Sequence, residues 1–300
     1  MLVNQTLGAY YLSTLIMRTY NCEIYESYNS TTGQKLAVKI YDSRTSNPQL
    51  IQDECSIMSE VSSPYLVEAL DMFDEGPFHC IVMPLYTGGD LFEYVRSNGP
   101  LEEHVAAQVV YQGLCAISYL HSVGIWHRDV KPENFFIDGD TISVPKVLLG
   151  DFGYAKRFGE NEFSTEYLGT QLYAAPEILR ETPYNESVDI WAMGVTMYIL
   201  VAGEAPFPTD DSYSMRLSII NGNYDFDSSA FNGVSMEAKD LISRMMAYNP
   251  QDRISPEQAL EHPWFKQYFS DAAVPSLKRD VAFMTGVNIP DADFDDPNLI

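Results

Sequence analysis

His127-Arg128-Asp129-Val130-Lys131-Pro132-Glu133-Asn134 stands between a long amphipathic stretch and a short apolar run, Phe135 to Ile137. Seven of its eight positions carry committed chemistry: an imidazole, a guanidinium, an ammonium, two carboxylates, a carboxamide and a proline. Seven specified residues at fixed spacing arise by chance on the order of once in a billion windows, so this octet demands an explanation that a lone G-x-G would not. Upstream, Leu101, Val105, Val109, Leu114, Ile117 and Leu120 recur at helical spacing and predict one long amphipathic segment. The octet is therefore a loop between a helix and a strand.

Working outward, Ala37-Val38-Lys39-Ile40 precedes the octet, while Asp151-Phe152-Gly153 and Ala175-Pro176-Glu177 follow it in order. Taken singly, each has an ordinary explanation: a Lys-Glu pair is usually a surface salt bridge, Asp-Phe-Gly a turn, His-Arg-Asp a solvated loop. In this order and on these elements the set resembles the protein kinase family over residues 10–268. Lys131 two residues after Asp129, with Gly169-Thr170 before Ala175-Pro176-Glu177, resembles the serine/threonine type. Tyr173-Ala174-Ala175-Pro176-Glu177 and His262-Pro263-Trp264-Phe265 look most like the calmodulin-dependent and AMP-activated-like group.

The resemblance implies an α+β bilobal fold. A small β-rich lobe would span residues 1–86 and a larger, mainly α-helical lobe residues 87–268, followed by an acidic tail over 269–300. The local pattern agrees. Ile24 to Tyr28 and Lys35 to Tyr41 are β-favouring runs that predict a hairpin, Asn47-Pro48 opens a helix, and two further strands fit Leu66 to Phe73 and Phe78 to Met83. Ser187 to Ala202 is apolar nearly all round and predicts a helix buried within a lobe; shorter helices fit Tyr213 to Ile220, Met236 to Met246 and Pro256 to Glu261.

Phosphoryl transfer asks a protein for positioning and charge neutralisation more than for covalent chemistry. By resemblance, ATP and Mg2+ are the cofactors. Lys39, held by Glu54, would contact the α and β phosphates. Asn134 and Asp151 would hold the metal, Asp129 would accept the hydroxyl proton, and Lys131 would steady the transferring group. The adenine would lie between Ile24 and Ala37 above and Phe136 and Leu91 below, with Met83 behind and Pro84 and Tyr86 offering a carbonyl and an N–H. Asp90 is placed with these nucleotide-binding residues. Thr170 would bridge Asp129 and Lys131, and Arg253 would partner Glu177.

One element departs from the family. Where the family has G-x-G-x-x-G-x-V, this chain has Met17-Arg18-Thr19-Tyr20-Asn21-Cys22-Glu23-Ile24, without a glycine. Glycine lets backbone N–H groups approach phosphate closely, so side chains here loosen or reshape the clamp. Three readings stay open at this point: a working kinase, a pseudokinase that binds partners, and a non-catalytic acidic scaffold. In many relatives a threonine three residues before Gly-Thr is phosphorylated and pairs with the arginine of His-Arg-Asp. That position is Glu166, which is expected to contact Arg128 as a fixed charge, with Thr165 or Ser164 as the competing phosphate acceptor.

Composition bounds the partners. The 300 residues hold 42 Asp plus Glu against 18 Lys plus Arg, a net charge of -24, so phosphate backbones and anionic lipid are repelled and basic protein substrates are favoured. Neither nucleic acid nor membrane is expected as a partner. No basic helix follows Phe265 and no EF-hand loop is present, so calmodulin is not expected either. The four cysteines, Cys22, Cys55, Cys80 and Cys115, form no C-x-x-C pair, and the start of the chain lacks a basic leader region. Both fit a cytoplasmic, or nuclear, setting.

Overall fold

The first 85 residues build a six-stranded antiparallel sheet and one helix. The strands are β1 (Gln5–Leu7), β2 (Tyr10–Arg18), β3 (Cys22–Asn29) and β4 (Lys35–Asp42); helix α1 (Pro48–Glu60) then precedes β5 (Asp71–Glu75) and β6 (Phe78–Pro84). The spatial order is β1-β2-β3-β4-β6-β5. The structure is a computed structural model that describes residues 2–139 and 146–269; the acidic tail from residue 270 onward lies outside the described residues.

Period-two alternation gives the sheet two faces with different duties. Leu12, Tyr25, Leu36, Val38, Ile40 and Val82 form a core cluster on one side. On the other side the register sets Ile24 opposite Lys39 and Ala37 opposite Met83, with Tyr41 two residues beyond Lys39. Helix α1 covers that face. Asn47 caps it by accepting from Gln49 N–H, Pro48 needs no partner for a missing N–H, and the buried stripe is Ile51, Glu54, Ile57 and Met58. A carboxylate within an apolar stripe must meet a donor, and this one does.

The strand expected over Leu66 to Phe73 is shorter than its apolar run, beginning only at Asp71. Leu66 and Val67 turn away to the other lobe, where Val67 N–H donates to Leu149 O and Leu149 N–H to Tyr65 O, each at 2.9 Å. Both side chains are buried there, so burial against the larger lobe, not the small sheet, sets their pairing.

The larger lobe continues with α2 (Leu91–Asn98), α3 (Glu103–Ser122), β7 (Ile125–Trp126), β8 (Phe135–Ile137), β9 (Val147–Leu149) and β10 (Lys156–Arg157). It ends with α4 (Pro176–Leu179), α5 (Ser187–Ala202), α6 (Ser212–Asn221), α7 (Met236–Met245), α8 (Pro256–Leu260) and α9 (Pro263–Lys266). Helix α5 is buried from Val188 to Ala202, as its nearly all-apolar sequence requires. A Cβ on its Gly194 would stand 2.6 Å from Met246 Cγ, so only glycine admits this approach at the end of α7.

Leu101 does not join the long helix. Its N–H bonds to Leu200 O ahead of α3, and a separate helix, α2, precedes it, capped by Asp90 and ended by Gly99 in a positive-φ conformation. Eight residues carry too short a pattern to separate α2 from its neighbour by periodicity.

Candidate active site

The octet loop folds around its own backbone. His127 N–H and Arg128 N–H donate to the two carboxylate oxygens of Asp189 at 2.9 and 2.7 Å, and Arg128 adopts φ +65°, which a non-glycine side chain adopts only when held there. Asp189 comes from the first turn of the buried helix α5. Burial pushes its carboxyl up, but the His121 hydrogen bond at 2.9 Å, with the neighbouring His121 and His127 rings and the His127 N–H, brings it below the usual range. On the other side Asp129 N–H donates to His127 Nδ1, leaving Nε2 to donate to Gly150 O at 3.0 Å. The imidazole thus ties the loop to Gly150, between β9 and Asp151.

Three donors converge on Asp129. Lys131 Nζ lies 2.6 Å from Oδ2, Asn134 Nδ2 donates to the Asp129 carbonyl at 2.8 Å and to Oδ2 at 3.2 Å, and Thr170 N–H donates to Oδ1 at 3.2 Å. Lys131 also donates to Thr170 Oγ1 at 2.9 Å, and that hydroxyl lies 3.4 Å from Asp129 Oδ1, so Thr170 joins the two residues in the expected way. Gly169 has φ +86°, and a Cβ there would meet the Arg128 carbonyl oxygen at 2.8 Å. Only glycine brings Thr170 this close to Asp129.

A second cluster faces the same cleft from the small lobe. Lys39 Nζ lies 2.7 Å from Glu54 Oε1 and 2.8 Å from Asp151 Oδ1. Burial alone would push the ammonium down; the Asp151 and Glu54 carboxylates outweigh it and hold Lys39 well above its ordinary value. In turn Lys39 lowers Asp151 to about 2. The cleft measures about 300 Å³ and is lined by Cys22, Lys39, Tyr41, Asp129, Lys131 and Asp151, among others.

The donor set suits a hard cation. Asn134 spends both amide hydrogens on Asp129 and presents its carbonyl oxygen as an acceptor, and the Asp151 side chain keeps 46% of its surface exposed. Among the described residues no group of three or more His, Cys, Asp or Glu is arranged to hold a metal. A magnesium ion here would rest on two protein oxygens and on the phosphates it accompanies.

The slot for the base is partly as expected. Ile24, Ala37 and Met83 share the cleft face of the sheet by register, and the Tyr86 ring stacks on Phe136 with centroids 5.9 Å apart. Pro84 ends β6 opposite Leu36. Leu91 differs: it is wholly buried in the core as the first residue of α2, with no surface to offer a ligand, because helix packing claims its side chain. Asp90 is engaged as the cap of α2, its Oδ1 accepting from Glu93 N–H at 2.8 Å.

The glycine-free turn between β2 and β3 satisfies itself. Thr19 Oγ1 accepts from Cys22 N–H at 3.1 Å and from Asn21 N–H at 3.3 Å, and Ser46 Oγ donates to Asn21 O at 2.7 Å. The Asn21 and Cys22 N–H groups are thereby engaged within the turn. Side chains have therefore reshaped this turn rather than only loosening it.

Residues 20–265 match the protein kinase domain family. The chain belongs to that family. It is 37% identical over 252 residues to "Probable serine/threonine-protein kinase fhkD" of Dictyostelium discoideum, covering 78% of this chain and 34% of that protein. It is 39% identical over 233 residues to calcium/calmodulin-dependent protein kinase type 1B of Rattus norvegicus, covering 77% and 65%. It is 32% identical over 278 residues to a serine/threonine-protein kinase H1 homolog of Danio rerio, covering 91% and 65%. The chain thus spans about a third to two thirds of these relatives.

Within this kinase domain, Arg253 Nη2 donates to Glu177 Oε2 at 2.8 Å, a buried pair that anchors the segment after Thr170. Arg128 Nη1 donates to Glu166 Oε2 at 2.6 Å; Ser164 is buried and Thr165 exposed. Sequence reasoning did not assign roles to Asp189, His127 or Tyr41. For Asp189 a signal existed, since a carboxylate in an otherwise apolar helix must meet buried donors.

Proposed function

We propose that this chain is an ATP-dependent protein serine/threonine kinase domain acting on basic protein substrates. The observation that carries the reading is the convergence of Lys131, Asn134 and Thr170 on Asp129, across one cleft from the Lys39, Glu54 and Asp151 cluster. Bound Mg-ATP supplies the activated phosphoryl group and the metal charge that neutralises it. Asn134 and Asp151 would hold that metal, and Lys39 would hold the phosphates. Asp129 accepts the proton of the incoming hydroxyl, its carboxylate oriented by Lys131 and Asn134 on Oδ2 and by the longer Thr170 contacts on Oδ1. Lys131, a donor between Asp129 and Thr170, places positive charge where the phosphoryl group passes.

Basic flanking residues suit the surroundings. Glu133 adjoins the catalytic loop, half-buried, and burial raises its carboxyl even though Tyr173 OH donates to it at 3.3 Å. A cationic side chain would relieve that burial, and the net charge of -24 steers basic peptides toward the cleft. Peptides with Arg or Lys before the acceptor should show kcat/KM about tenfold above acidic ones at low salt. Equal values would contradict the preference.

The self-satisfied turn at Thr19 favours a second reading, a nucleotide-binding domain without transfer. Thermal unfolding with Mg-ATP separates the two. A midpoint shift with no phosphate incorporated into peptide would support the second, whereas a shift with incorporation supports the kinase.

A further inference from the structure

Tyr41 stands two residues beyond Lys39 on β4, so strand alternation returns its side chain to the cleft face. Its ring is buried, its hydroxyl donates to Glu54 Oε2, and Lys39 Nζ lies 5.3 Å from its ring centroid. Glu54 therefore has one oxygen on the Lys39 ammonium and the other on the Tyr41 phenol. Both donors come from one strand, and the acceptor comes from a helix that otherwise packs through Ile51, Ile57 and Met58.

We propose that Tyr41 is a positioning residue whose hydroxyl fixes Glu54, and with it α1, where Lys39 is presented to the nucleotide. The inference rests on the kinase reading for its catalytic consequence, but its structural half does not. Lys39 is shared by Glu54 and Asp151, and arriving phosphates would compete for the same ammonium. A buried carboxylate whose cation is drawn away needs another donor. Tyr41 supplies one without adding a positive charge that would itself compete for phosphate. Burial, reinforced by the Glu54 carboxylate and opposed by Lys39, pushes the phenol well above its ordinary value, so it remains a donor throughout the neutral range. The turn between β2 and β3 adds weight, because a nucleotide that finds the Asn21 and Cys22 N–H groups already engaged depends more on Lys39.

The test compares Tyr41→Phe, Glu54→Ala and the double variant. In nucleotide-free protein, amide hydrogen exchange in α1 should rise about tenfold in Tyr41→Phe while the β2 to β4 strands keep their protection. With Mg-ATP and peptide, KM for Mg-ATP should rise about tenfold and by more than kcat falls. The double variant should be little worse than Glu54→Ala, since alanine already removes the carboxylate that the Tyr41 hydroxyl holds. Unchanged α1 exchange, a uniform rise across sheet and helix, or independent effects in the double variant would overturn the proposal. Exchange is read without nucleotide, so a protein that transfers no phosphate refutes the kinase reading and still tests Tyr41.

Discussion

Arg128 donates through Nη1 to Glu166 Oε2 at 2.6 Å, joining the catalytic loop to the segment before Gly169-Thr170. The guanidinium side chain is only 3% exposed, its Nε is spent on Tyr154 O, and Lys156 approaches the same Glu166 oxygen at 3.6 Å. The Arg128 hydrogen bond, opposed by burial and helped by both cations, holds the Glu166 carboxyl below its ordinary value. A permanent carboxylate therefore occupies a basic recess on the catalytic loop.

That contact predicts activity without an activating kinase. Bacterially expressed, phosphatase-treated protein should phosphorylate peptide; Glu166→Ala should lower kcat/KM about tenfold, the scale of one charge-assisted hydrogen bond, and Thr165→Ala should not. Thr165 is exposed, whereas Ser164 is buried with its hydroxyl on Glu166 N–H, so neither is placed as Glu166 is. Loss of all activity on dephosphorylation, with Glu166→Ala equal to the parent, would return control to an upstream enzyme.

Acid should loosen the cleft in a defined window. Lys39 holds Asp151 at about 2, below an unfolded-state value of about 3.9, so its contribution to stability is complete above that value and is lost as pH falls through about 2. Asp151→Asn should flatten the acid limb of stability between about pH 4 and pH 2. Superimposable acid limbs for the two proteins would refute the assignment.

Asp189 should matter to folding as well as to the loop. Removing it leaves the His127 and Arg128 N–H groups buried without acceptors and His121 without its carboxylate, a cost of about 3–5 kcal/mol for Asp189→Ala. Asp189→Asn, which retains one acceptor, should fall between. Denaturant unfolding measures both, and a loss under about 1 kcal/mol for the alanine variant would disprove the clamp.

Cys22 should be a slow, nucleotide-protected thiol. It lines the cleft beside Lys39, and burial raises it despite the opposing Lys39 charge and Thr19 hydrogen bond. Iodoacetamide should modify it slowly at neutral pH, faster as pH rises, and more slowly again with Mg-ATP. Modification indifferent to nucleotide would remove it from the cleft.

Much of this was legible in the chain because charged residues at fixed spacing are rare. Asp129, Lys131, Asn134, Lys39, Glu54 and Asp151 carry their types openly, and Ser187 to Ala202 reads as buried from its apolar run alone. What stayed hidden depends on which of two plausible partners a residue takes. Leu66 and Val67 read as a strand whichever lobe they join, and Leu91 reads as apolar whether it faces a ligand or a core. Tyr41 reads as a β-former, its hydroxyl gaining meaning only when α1 brings Glu54 to it. The Thr19 contacts belong to a turn, where no periodicity reports on the side chain.

The central claim is that the residues around Asp129 and Lys39 form a working phosphoryl-transfer site. Incubating purified protein with Mg and γ-labelled ATP and a mixed Ser/Thr peptide library, beside Asp129→Asn, tests it most directly. Label should enter serine and threonine with the parent and fall by at least about a hundredfold with the variant, as removal of a catalytic base requires. No label above background with the parent, or equal label with both, would contradict the account.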